Sequence, residues 1–191
     1  VKIADWQETE KEAEMKVLIV YYSNTGNTEK LAKAIYEASA DENATLARVE
    51  DVQDINGYDF IFAGFPILHH SVPGQMARLI QRFPEGTPVA LFATHGCLRG
   101  GKLAIEGFYH AISLASRVQV QGTFSTQGEV NMHVMERLSG LPEYRGWIDE
   151  ASSSISHPDE HDLEDGRAFA SAMLAMAGNR RRKKSAVKSR K

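Results

Sequence analysis

No stretch of this chain approaches the roughly 20 consecutive apolar residues that a membrane-spanning helix needs, so membrane insertion is not expected. Cysteine is almost absent. Cys97 stands alone, which excludes an intramolecular disulfide and fits a reducing, cytoplasmic setting. The opening residues, VKIADWQETEKEAE, are acidic and lack the apolar segment of a secretory signal. No internal repeat is present. What remains, 42% hydrophobic and 25% charged over 191 residues, is an ordinary globular composition with enough chain for one domain and its tails.

The net charge of −3 conceals a division. The last thirteen residues, NRRRKKSAVKSRK (179–191), hold eight basic side chains and no acid. Met15–Gly178 carries 12 basic and 20 acidic residues, a net of −8. A terminal basic run reads as a solvated, disordered tail, with nucleic-acid or anionic-membrane contact as the minor alternative.

From Met15 onward short apolar runs alternate with amphipathic segments, the pattern of an α/β fold. Strands are expected at Lys16–Tyr22, Thr45–Val49, Phe60–Phe65, Pro88–Thr94 and Val118–Phe124. Helices are expected at Asn27–Ala40, Gly74–Phe83, Lys102–Leu114 and Asp159–Ala177, the last with acids in its first turns. Residues 125–158 are too long for a plain connection, and contain a short helix near Val130–Leu138 and a second segment near Tyr144–Ala151. They read as a lid, a docking surface or an edge cover.

The most informative stretch is Ser23-Asn24-Thr25-Gly26-Asn27-Thr28, between the first strand and the first helix. Ligand sites of parallel sheets lie at the carboxyl ends of the strands. A helix N-terminus there offers unpaired N–H groups and partial positive charge. Three hydroxyls and two amides add neutral donors, Gly26 allows close approach or positive φ, and the loop holds no lysine or arginine. Neutral donors alone point to a terminal monophosphate ester. A P-loop needs a lysine after its glycine, and a dinucleotide fold needs three glycines. A low-molecular-weight phosphatase needs cysteine and arginine here, and a response-regulator receiver needs acids where Tyr22 and Phe65 stand; none is present. A capped helix without a ligand explains one or two polar residues, not six in a row.

S-N-T-G-N-T after an apolar strand resembles the phosphate loop of the flavodoxin family, [ST]-x-T-G-x-T. Weaker agreement runs through Met15–Phe124 and resumes in the last helix. The resemblance implies a flavodoxin-like three-layer sandwich, with a five-stranded parallel sheet in order 2-1-3-4-5, and FMN as cofactor. It makes 15–178 the FMN-binding domain, 1–14 an N-terminal extension and 179–191 a tail. It also assigns two ring-binding loops. The first contains Pro66, Ile67, Leu68 and His69, with Leu68 and His69 where relatives carry tryptophans. The second contains Thr94, His95, Gly96, Cys97, Arg99 and Gly100, and lacks the usual acid and flanking tyrosine. Arg99 there is expected to favour the anionic reduced ring and raise the reduction potential. His69 and His70 stand as flavin contacts or as plain loop residues. Cys97 reads as a small buried loop residue rather than a redox thiol. His157 and His161, separated by Pro158, read as helix-start solvation, and Trp6 and Trp147 as core or edge packing.

No general base or nucleophile constellation is visible, and none is needed if the chemistry belongs to the flavin. The leading reading is an electron carrier whose acidic face docks redox partner proteins; nucleic acid is not an expected partner. The alternative is an FMN-dependent reductase using NAD(P)H or a quinone. A flavin-free binding module ranks third.

Overall fold

The computed structural model describes residues 15–188, with side chains through residue 183. Strands β1 (Lys16–Tyr21), β2 (Asn43–Arg48), β3 (Phe60–Pro66), β4 (Pro88–His95) and β5 (Gln119–Gln127) form one parallel sheet in the order β2-β1-β3-β4-β5. This is the expected topology. β1, β3 and β4 are apolar on both faces because helices cover both. On one face, Leu18, Val20, Ile61 and Leu91 meet α2 (Gly74–Ile80) and α3 (Lys102–Leu114). On the other, Val17, Ile19, Phe60, Phe62 and Phe92 meet α1 (Asn27–Glu37) and α6 (Glu160–Lys188). The edge strands β2 and β5 are more polar and only partly buried. Gly64 is required by packing: a Cβ there would lie 2.1 Å from the fully buried ring of Phe92.

Several boundaries differ from expectation: β2 begins at Asn43 rather than Thr45, α1 ends at Glu37 rather than Ala40, α2 ends at Ile80 rather than Phe83, and two elements run longer. β5 continues to Gln127, because Thr126 and Gln127 stay in register with Thr94 and His95 after the apolar alternation ends. α6 does not stop near Ala177 but runs on through the basic run to Lys188. No proline or second glycine follows Gly178, arginine and lysine are good helix formers, and their charge complements the carboxyl end of the helix dipole. Arg180 donates to Gln121 of β5, and Arg181 pairs with Asp59 at 3.5 Å. The expected N-terminal extension, with Trp6, lies outside the described residues, as do 189–191.

Residues 125–158 fold into α4 (Met132–Ser139), a 3₁₀ turn at Pro142–Tyr144, and α5 (Arg145–Ser152). Both ends of this segment are gathered by one buried carboxylate, Asp162. Thr126 donates to its Oδ1 and the His157 ring bonds its Oδ2. The Asp159 N–H donates to Oδ2 at 3.1 Å, while Asp159 Oδ1 accepts from the Asp162 N–H at 3.0 Å, a reciprocal cap on α6. Arg99 adds a charged bond at 3.2 Å. His157, Asp159 and Asp162 have the donor types of a metal site, but their bonds are already committed to this cap. Burial pushes the Asp162 carboxyl up; the bonds from Thr126, His157 and the Asp159 N–H outweigh it and hold the group below the ordinary aspartate value.

Two expected outcomes test this packing. Gly64→Ala should lower the urea midpoint by the equivalent of ~1–3 kcal/mol, since the Phe92 ring must move; an unchanged midpoint would show that the ring shifts freely. Asp162→Asn should cost ~1.5–3 kcal/mol at neutral pH for its lost charge-assisted bonds. Because the folded pKa of Asp162 is depressed, its contribution is present above the unfolded value of about 3.9 and disappears as pH falls through the folded one. Urea melts from pH 7 to pH 3 should therefore show the gap between wild type and Asp162→Asn closing at the acid end. A gap independent of pH would refute the ionic role.

Candidate functional site

The polar loop sits where β1 ends and α1 begins, at the carboxyl edge of the sheet. Gly26 has φ +92°, the left-handed region, and no atom lies within 4 Å of the place a Cβ would take. The loop is therefore shaped by its backbone and open above. The Gly26 N–H donates to Ser23 Oγ at 3.1 Å, folding the loop on itself. Ser23 and Thr28 are buried, whereas Asn24 and Thr25 stand exposed at the tip. Thr28 Oγ1 lies 2.8 Å from Thr94 Oγ1 of β4, so one hydroxyl donates to the other. That bond ties the first loop to the strand that carries the third. Asn27 is the first residue of α1 and sends its amide to the Glu129 carbonyl at 2.9 Å, serving the connection to residues 125–158.

A cation does stand behind the loop, and the loop's own sequence does not show it. Arg48, the last residue of β2, donates from Nη2 to the Ser23 carbonyl at 3.2 Å and lies over the Tyr21 ring at 5.7 Å. Glu50 at 2.6 Å and Glu29 at 3.5 Å balance its charge. The available signal was the parallel register, which places Arg48 opposite Tyr21.

After β3, Pro66 is partly exposed and Ile67 is buried against Gly107 of α3, where an added Cβ would be 2.7 Å from it. The Ile67 side chain is thus packed in the core, and the chain turns outward only at Leu68. Leu68 and Ser71 exchange N–H···O bonds of 3.1 and 3.0 Å. His69 and His70 between them have φ +49° and +60°, the I′ geometry usually given to Asn-Gly. His70 bonds Glu106, and His110 Nδ1 accepts from the Val72 N–H at 3.2 Å and lies 2.8 Å from Ser71 Oγ. The turn is thereby fastened to α3, with Leu68 and His69 exposed at its tip.

Thr94 and His95, which end β4, are buried, as is Cys97 in the loop beyond, and Gly96 is half-buried. His95 Nδ1 lies 3.0 Å from the Cys97 carbonyl and 3.2 Å from its Sγ. Its Nε2 is buried with no hydrogen-bond partner among the described residues. Burial, with the nearby Arg99 charge, holds the imidazole below its usual value, so the ring is neutral at pH 7. Burial likewise pushes the Cys97 thiol up, which leaves it protonated and unreactive, as expected of a packing residue. Gly96 is pressed from the side: a Cβ there would meet a Val130 methyl at 2.4 Å and the Trp147 ring at 3.4 Å. The Leu98 N–H donates to Glu150 at 3.1 Å. Arg99 is held by Asp162 at 3.2 Å and Asp165 at 2.8 Å, over the Phe124 ring at 5.3 Å. Its charge is shared with two carboxylates, which weakens the field it was expected to exert on a reduced ring. Gly100, with φ +76°, lets the exposed loop turn into α3.

Together the three loops present a neutral-donor cradle at a helix N-terminus beside the exposed tips at Leu68–His69 and Leu98–Gly100. Ser23 and Thr25 hydroxyls, the Thr28–Thr94 pair and the first-turn N–H groups of α1 suit a phosphate ester. The space above Gly26 is open to a bound group, and His95 Nε2 is a buried polar atom without a partner among the described residues.

A model of the flavodoxin domain matches residues 18–171. The flavodoxin-like domain-containing protein BilS of Clostridioides difficile is 26% identical over 181 residues, spanning 85% of this chain and 98% of that protein. Oxidised flavodoxin 2 from Bacillus cereus superposes with a TM-score of 0.58 at 19% identity, covering 84% of this chain and 99% of that one. A WrbA-like flavodoxin from Agrobacterium tumefaciens superposes with a TM-score of 0.59 at 15% identity, covering 86% and 98%. Fold, loop and family model coincide: the chain belongs to the flavodoxin domain family.

Proposed function

We propose that this protein binds FMN noncovalently and carries electrons between redox proteins. The observation that carries the reading is the Ser23–Thr28 loop, open above Gly26 and tied to β4 through Thr28 and Thr94. In this reading Ser23, Asn24, Thr25, Thr28 and the start of α1 hold the phosphate, with Arg48 fixing the loop from behind. The tips at Leu68–His69 and Gly96–Gly100 flank the ring. Bound FMN supplies one- and two-electron chemistry; the protein positions it and sets its electrostatics. Among the described residues no helix is long and apolar enough to cross a membrane, and cytoplasmic residence is part of the proposal.

Carrier function needs fast, reversible encounters, which long-range charge provides without a large interface. The −8 of Met15–Gly178 therefore docks basic surfaces of a reductase and an acceptor. A second reading, an FMN-dependent reductase using NAD(P)H or a quinone, draws on the exposed Leu68 and His69, which leave the β3 tip without aromatic cover. Mixing photoreduced protein with NAD(P)+ or a quinone separates the two: rapid turnover by either small molecule favours the reductase.

The purified protein should be yellow and release FMN, not FAD, on denaturation. Thr25→Val should weaken FMN by about 5- to 150-fold, for ~1–3 kcal/mol of lost hydrogen bonding. Unchanged affinity would remove the loop from the site. Association with the redox partner should slow several-fold as salt rises from about 0.05 to 0.5 M, while the Debye length falls from ~14 to ~4 Å. Deleting 179–191 should preserve both FMN binding and that salt dependence; a salt-independent rate would end the acidic-face model.

A further inference from the structure

The β4 loop carries no aromatic residue and no acid between His95 and Gly101. The structure brings both to it from elsewhere. α5 lies beside the loop, with Trp147 against Gly96 and Glu150, one turn later, accepting the Leu98 N–H at 3.1 Å. Glu150 Oε2 also comes within 3.5 Å of the place a Cβ on Gly101 would occupy. The same carboxylate therefore touches both limbs of the turn. Glycine at 96 leaves room for Val130 and Trp147, which a Cβ there would meet at 2.4 and 3.4 Å, and glycine at 101 lets the turn close on itself, since a Cβ there would lie 2.9 Å from the Leu98 carbonyl.

We infer that α5 is the tuning element of the flavin site: Trp147 sets the shape of the β4 loop, and Glu150 gives it a negative field that opposes reduction of the bound ring. The inference rests on the FMN reading above. Two-electron reduction with uptake of one proton adds one negative charge to the site. A carboxylate fixed to the loop raises the energy of that charge. The positive charge of Arg99 does not cancel this effect, because Asp162 and Asp165 already hold it. Counting these four groups, the loop faces three carboxylates and one guanidinium. Trp147 acts through Gly96 and is a positioning residue; Glu150 acts directly through its charge.

The test is a redox titration of FMN-loaded wild type, Glu150→Gln and Asp149→Asn. Glu150→Gln keeps an acceptor for the Leu98 N–H and removes the charge. It should bind reduced relative to oxidised FMN three- to tenfold more favourably, a rise of about 14 to 30 mV at 29.6 mV per decade for a two-electron couple. Asp149→Asn removes the same charge from an exposed neighbour on α5 and should shift the midpoint by less than a third as much. Equal shifts in the two variants, or none in Glu150→Gln, overturn the inference while leaving FMN binding intact. Failure of wild type to bind FMN overturns the function and the inference together. Riboflavin, which lacks the phosphate, tests Trp147 independently and keeps the inference testable if Glu150→Gln misfolds. Trp147→Leu should weaken riboflavin and FMN in equal proportion, about three- to tenfold, and Trp147→Phe should restore most of it. Loss confined to FMN, or no loss, would refute the positioning role.

Discussion

Much of the site end of this molecule is held by the carboxylate of Asp162. Four polar groups converge on it: Thr126 from the end of β5, His157 from the close of the long connection, Arg99 from the β4 loop, and the Asp159 N–H before α6, while the Asp159 carboxylate accepts in return from the Asp162 N–H. A buried carboxylate without donors would be neutral or excluded, so its presence requires each partner to stay in place. The reverse also holds. Residues 125–158 include α4, which buries none of its residues, and their apolar packing falls mainly to Val130, Trp147 and Ala151. Their position depends on anchored ends, and both ends are anchored at the same atom pair.

From that anchor follows the arrangement of the loops. With Thr126 fixed, β5 stays paired to β4 up to Gln127, and Gly128 donates its N–H to the His95 carbonyl. The chain then passes over Asn27, whose amide catches the Glu129 carbonyl, and returns through α5 to Gly96 and Leu98. The phosphate-type loop and the β4 loop are thus joined twice, once by the Thr28–Thr94 hydroxyls and once through the connection. Arg48 adds a third restraint from the opposite side. A site of neutral donors needs such restraint, because no strong ion pair within the loop itself fixes its shape.

The sheet was legible in the sequence because β1, β3 and β4 are buried on both faces and therefore read as unbroken apolar runs. Ser23–Thr28 was legible because its chemistry is local: hydroxyls, amides and one glycine must be contiguous to serve one helix N-terminus. What sequence reading missed is nonlocal. Ile67 looked like a loop residue, but Gly107, forty positions away, gives it a socket in the core. Arg99 read as a charge beside the ring, and its partners Asp162 and Asp165 lie more than sixty residues further on. Arg48 and Glu150 reach their loops only through the register of β2 and the docking of α5. The extent of α6 was missed for a different reason. Like-charged residues were read as a repelling coil, but nothing in 179–188 actively stops a helix already nucleated upstream.

The unbroken course of α6 has a consequence for how the molecule moves before it touches anything. Glu160, Asp162, Glu164 and Asp165 stand at one end of the helix, beside the loops; Arg180, Arg181, Arg182 and Lys183 stand at the other, near Asp59 and Gln121. At 1.5 Å per residue the two groups are roughly 30 Å apart along one stiff rod. Arg99 and Arg167 offset two of those acids and Asp59 one of those cations, so roughly two to three net charges of each sign remain, a dipole on the order of 50–80 electron-ångströms along α6. In the field of an electropositive surface such a dipole experiences a torque that turns the carboxyl edge of the sheet forward. The attraction that salt screens comes from the acidic end alone; the positive far end adds only an orienting torque, felt within a Debye length of contact.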